Sequence, residues 1–158
     1  AFLAGSPAGW QHRSLPCAQP TQAVAASSGT NMAAVCSGGG AAGSESKQLY
    51  VSSDAGATWR GTTAAPLGGD TFGVTSASPS VDVISAASGA SELYATFDGG
   101  GTWSTVFQDT TGRPWRDLGF TTPNQGVVVE GVVPPMSGAG NQLLMTRDGG
   151  HSWAVVAF

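Results

Sequence analysis

The chain has 158 residues, 41% hydrophobic and only 10% charged, with a net charge of −4. Apolar runs recurring on schedule exclude a disordered chain. Six scattered Lys/Arg exclude nucleic acid as the partner, because neutralising phosphates needs concentrated positive charge.

No run approaches the ~20 apolar residues that span a bilayer, and no window keeps the i, i+3, i+4, i+7 face of an amphipathic helix. With 24 glycines, that leaves an all-β chain of short strands and turns. The first predicted element is 9–15, an orphan strand. Trp10 is followed by Pro16 much as Trp59 is followed by Pro66, and no Asp precedes it in Ser6-Pro7-Ala8-Gly9. It reads as the fourth strand of a unit whose first three are missing. Three complete units follow, at 20–64, 70–108 and 115–158. Their predicted strands are 22–27, 32–37, 48–53 and 58–63; then 71–76, 81–86, 92–97 and 102–107; then 116–122, 126–132, 142–147 and 152–157. Good turn formers join the first two strands each time: Ser28-Gly29-Thr30-Asn31, Ala77-Ser78-Pro79-Ser80 and Pro123-Asn124-Gln125.

The third and fourth strands are joined by one phrase written three times: Ser/Thr-x-Asp-x-Gly-x-Ser/Thr-Trp, at 52–59, 96–103 and 146–153. Asp54, Asp98 and Asp148 can each bond backbone N–H groups two or so residues on, an Asx-type turn. Gly56, Gly100 and Gly150 accept the positive φ that a hairpin between twisted strands demands. Thr58, Thr102 and Ser152 offer a second local bond, and Trp59, Trp103 and Trp153 wedge a large apolar face between neighbouring sheets. Each phrase brings one carboxylate, consumed by its own turn, which disfavours metal ligation or catalysis. No cofactor or metal is implied.

These phrases resemble the Asp-box of the bacterial-neuraminidase-repeat families, which include sialidases, sortilin-type receptors and propellers like photosystem II assembly factors. The resemblance covers nearly the whole chain. It implies four-stranded antiparallel blades of a β-propeller, with the box between the third and fourth strands, on the rim away from the ligand face. Three blades cannot close a ring, since propellers typically need four to eight. The reading favoured is a piece of a longer propeller, against two copies pairing or an open stack covered by a protein partner.

Strand alternation puts boxes and first turns on one rim, and the loops 11–13, 37–47, 109–115 and 131–141 on the other. The richest loop is 109–117, where Arg113 and Arg116 flank Trp115. Two guanidiniums and a ring can clasp a carboxylate and stack a planar group. The alternative packs Trp115 under the loop and leaves Arg116–Asp117 as a weak surface ion pair. Pro134-Pro135-Met136 is a second contact candidate. The sialidase resemblance implies an arginine triad, a Tyr nucleophile with a Glu partner, and an Asp acid/base. Here Arg60 and Arg147 adjoin the boxes, Tyr50 and Tyr94 hold equal positions in successive units, and Asp82 and Glu130 fall in second strands with no evident partner. No carboxylate pair about 5–9.5 Å apart can be argued.

Cys17 and Cys36 are expected to form a disulfide, with two buried thiols as the alternative. That pair and the Ser/Thr/Gly-rich surface favour an oxidising, extracytoplasmic compartment. The functional expectation is a non-enzymatic propeller segment acting as a protein-interaction scaffold. The alternatives are the non-catalytic part of a sialidase-like glycoside hydrolase, or a carbohydrate-binding module.

Overall fold

The computed structural model describes residues 2–6, 9–41, 43–63, 65–66, 68–110, 112–131 and 142–156. All its regular elements are strands: β1 (Phe2–Ser6), β2 (Gly9–Arg13), β3 (Thr21–Ala26), β4 (Met32–Ala41), β5 (Ser44–Ser52), β6 (Arg60–Gly61) and β7 (Asp70–Ser78). There follow β8 (Val81–Ala87), β9 (Ser91–Thr96), β10 (Ser104–Asp109), β11 (Trp115–Phe120), β12 (Gly126–Glu130), β13 (Leu143–Thr146) and β14 (Ala154–Val156). They form three four-stranded antiparallel meanders, β3–β6, β7–β10 and β11–β14. Strands β3, β7 and β11 lie side by side as the inner edges of the three sheets. This is the blade architecture of a β-propeller.

Two features depart from the expected elements. The amino-terminal strand is not an orphan: β1 pairs with β2, from Phe2 opposite Arg13 to Ser6 opposite Gly9. The segment 37–47 is also not a plain loop. The β4–β5 ladder runs to Ser37–Lys47, shifts register, then resumes at Gly40–Glu45. Gly39 and Gly40 take positive φ at the shift, a bulge that residues with a Cβ resist. The loop with Pro134-Pro135-Met136 lies outside the described residues.

The core forms between sheets. Ala33, Val35 and Leu49 of the first sheet meet Val74 and Ile84 of the second, with Trp103 packed against them. Val83, Leu93 and Ala95 of the second meet Trp115, Val128, Leu144 and Trp153 of the third. Each wedging Trp thus faces the preceding sheet, and Trp59 bonds Ser14 O through its indole N–H at 3.2 Å. The expected disulfide joins Cys17 to Cys36, with Cα atoms 5.3 Å apart, and so ties the segment after β2 to β4.

Candidate functional site

On one rim, the three third-to-fourth-strand turns repeat a single hydrogen-bond pattern. Asp54 Oδ1 accepts from the Thr58 N–H at 2.8 Å, and Oδ2 from the Thr58 hydroxyl at 2.7 Å. Asp98 holds Thr102 at 2.9 and 2.8 Å, and Asp148 holds Ser152 at 3.0 and 2.6 Å. The first residue of each phrase is a second anchor: Ser52, Thr96 and Thr146 donate to the Asp carboxylate and accept the Gly56, Gly100 and Gly150 N–H. Each turn then docks on its sheet's first turn, through Ala55 N–H to Thr30 O, Gly99 N–H to Ser80 O and Gly149 N–H to Asn124 O. The bonds from the residue four positions on hold all three carboxyls down to about 2, since hydrogen bonds to the charged form favour it. Carboxylates held this way are poor proton donors.

The opposite rim carries the residues singled out for ligand contact. Trp115 is fully buried, in edge contact with Phe107 at 5.6 Å between ring centroids. Its stacking role is therefore corrected to a core role: the apolar bulk of the ring is worth more between the second and third sheets than in a loop. Arg113, 30% exposed, pairs with the buried Glu130 at 3.6 Å, so Glu130 has the partner that its strand alone did not reveal. The loop is pinned by the Ser91 hydroxyl to Arg113 O, and by Gly131 N–H to Pro114 O at 2.7 Å. Arg116 lies over the Phe72 ring, 5.0 Å from its centroid, and not against Asp117. The fold thus brings Arg113, Glu130 and Arg116 to one end of the inner strands, with Trp115 beneath them.

One polar grouping escaped sequence reasoning, and a second surrounds Asp82, which the sequence left in its strand without an evident partner. At the loop rim the Lys47 ammonium, mostly buried, donates to Gly68 O at 2.6 Å and Gly69 O at 2.7 Å, clamping the connection between the first two sheets. Burial pushes that ammonium down, against Glu45, Asp70 and Glu92, which push it up. Glu45 accepts from Gln22 and Ser37. On the turn rim, Asp82 is 1% exposed, and burial raises its carboxyl to about 6, with the Ser76 hydroxyl beside it acting the other way. A charged residue inside an apolar strand was the available signal. Among the described residues, no group of three His, Cys, Asp or Glu could hold a metal ion, and no helix is long and apolar enough to cross a membrane.

No protein-family model matches the chain, and no curated protein matches its sequence. Its fold is similar to that of solved structures. The GH74 enzyme of Niastella koreensis is 21% identical over 85% of this chain, with a TM-score of 0.59. YCF48 from Cyanidioschyzon merolae is 17% identical over 84% of this chain, with a TM-score of 0.50. The chain spans 17% of the length of the first and 39% of the second. At these identities the likeness concerns the fold alone, and that fold is a β-propeller.

Proposed function

We propose that this chain is an extracytoplasmic, non-enzymatic Asp-box propeller segment that serves as a scaffold for protein interaction. The observation that carries this is an uncovered sheet face. Ala33, Val35 and Leu49 in the first sheet, and Val83, Leu93 and Ala95 in the second, pack against the sheet that follows. At the matching register positions the third sheet presents Val127, Val129, Leu143 and Met145. These alternate with buried neighbours, and Val129 is 37% exposed. Nothing among the described residues covers them. A contiguous apolar face of this kind is a docking surface, and the repeat supplies its complement: another sheet of the same design, in the same protein or a second copy.

The turn carboxylates, engaged by their own loops, support a structural role for the Asp-box positions. The carbohydrate-binding alternative is weakened, because Trp115 offers no free ring. Arg116, and Arg113 beside Glu130, are the groups proposed to meet a partner's carboxylates on the loop rim. The disulfide supports an oxidising compartment.

Sedimentation over a wide concentration range tests the interface. The chain is expected to self-associate, and Val129→Lys combined with Met145→Glu is expected to return it to a monomer with its circular dichroism unchanged. A wild-type chain that stays monomeric at every concentration would overturn the reading.

A further inference from the structure

The first and second sheets enclose a crevice of about 310 Å³ on the turn rim, at the far end of the sheets from Arg113 and Glu130. It exists because the repeat is broken there. Opposite the first residue of each turn phrase (Ser52, Thr96 and Thr146) stand Met32, Asp82 and Gly126, whose first-strand partners are Ala26, Ser76 and Phe120; only the second sheet adds a further pair, Ser78–Val81, beyond a bulge. In the third sheet the Phe120 ring fills the space, so close over Gly126 that a Cβ there would stand 3.0 Å from it. In the second sheet the same two positions carry a hydroxyl and a carboxylate. A second departure faces it from the first sheet. Arg60 occupies the register position held by Ser104 and Ala154 in the other sheets, opposite Val51, Ala95 and Met145 respectively.

Among the described residues, Asp82 and Arg60 are the only charged ones lining the crevice, and no ion pair joins them. Asp82 Oδ1 is buried without a hydrogen-bond partner, the one carboxylate oxygen in that condition among the described residues. Buried acceptors in folded proteins are almost always satisfied, so an exception needs a reason. The hydroxyls nearby do not supply one. Ser52 and Thr58 are committed to Asp54, and Ser76 donates to Ser78 O at 3.1 Å. Met32, Val51 and Pro79 give the crevice an aliphatic part, beside Trp59 and the polar Asn31 and Ser53. The site therefore offers a buried anion, an exposed cation and aliphatic side chains lining one crevice.

We propose that this crevice binds a free α-amino acid with an apolar side chain, its ammonium on Asp82, its carboxylate on Arg60 and its side chain on Met32, Val51 and Pro79. A guanidinium suits a carboxylate in two-point contact, and a buried carboxylate with an open lone pair suits an ammonium. The uncovered face of the third sheet plays no part in this, so either reading stands if the other fails.

The probes are L-leucine and L-methionine, with 3-methylbutylamine and 4-methylpentanoate as single-charge analogues of leucine. Binding is followed through backbone amide shifts of residues 58–60 and 76–82. Leucine or methionine is expected to saturate those shifts, with both analogues at least about tenfold weaker, the worth of one charge-assisted contact. Arg60→Gln, an exposed change, is expected to weaken binding about tenfold with the melting temperature unchanged, and Asp82→Asn to do the same or more. If Asp82→Asn does not fold, a pH series on the wild type replaces it. Affinity is expected to fall from pH 7 to pH 5, as the buried carboxyl takes up the proton that competes with the ammonium. Absence of binding by both amino acids, an amine that binds as tightly as leucine, or variants and a pH series without effect would each overturn the proposal.

Discussion

Thr96 shows how much one hydroxyl carries in these turns. It is fully buried, donates to Asp98 Oδ1 at 2.8 Å, and accepts the Gly100 N–H at 2.8 Å and the Asp98 N–H at 3.4 Å. One donor and two acceptor sites are then all in use. Thr96→Val keeps the shape and leaves the buried Gly100 N–H unpaired, so it is expected to cost about 1–3 kcal/mol. Urea unfolding measures this, and a variant as stable as wild type would mean that the hydroxyl contributes nothing. Thr96→Ser, which keeps the bonds, is expected to lie much closer to wild type. The turn phrase itself was readable residue by residue, because every partner lies within eight positions. Sequence alone placed the Asp bond two or so residues downstream, whereas the carboxylate reaches the residue four on. A left-handed residue follows each Asp: Ala55, Gly99 and Gly149. It swings the chain round to bring that N–H back.

Among the elements, the weakest attachment belongs to the β1–β2 pair, since a two-stranded hairpin is marginal alone. It is held to the first sheet by Trp59 on Ser14 and by the disulfide. The bridge closes a separation of 19 residues, worth roughly 3 kcal/mol on the unfolded-chain entropy account. Reduction is therefore expected to lower the melting temperature and to raise hydrogen exchange first in residues 9–17. Thiol titration of the denatured, unreduced chain is expected to find no free thiol, and two free thiols would remove both the bridge and the main support for an extracytoplasmic location. Strand alternation made the pairing legible, as it brings the end of a fourth strand and the end of a second strand to the same rim. The β4–β5 extension was not legible. A Gly38-Gly39-Gly40 run has the composition of a loop, and the ladder beyond it depends on a bulge that realigns two strands.

The whole molecule has two opposing acid-linked contributions to stability. The turn carboxyls, ordinarily near 3.8, are held down to about 2. A depressed carboxyl stabilises above its unfolded pKa, so this contribution is complete above about pH 4 and disappears towards pH 2. Asp82 runs the other way, raised from 3.8 to about 6 by burial. Its contribution is complete below about pH 4 and is lost as pH rises through 6. The melting temperature is therefore expected to rise as pH falls from 7 towards 4 and to drop below that. Asp82→Asn, neutral throughout, is expected to lose the rise and keep the acid drop. Scanning calorimetry across pH 2–7 checks both limbs, and a variant that keeps the rise would assign it to another group.

From sequence alone came the all-β class, the four-strand order of the three sheets and the turns that close them, because those depend on chemistry within a few residues and on the alternation of strands. Tertiary packing decided where side chains of different sheets meet. It put Trp115 in the core, set Glu130 against Arg113, and brought Asp82 and Arg60 to one crevice from positions 22 residues apart. Those meetings depend on how one sheet lies on the next. That arrangement is set by the summed volume of many apolar contacts, which no local pattern of residue types records.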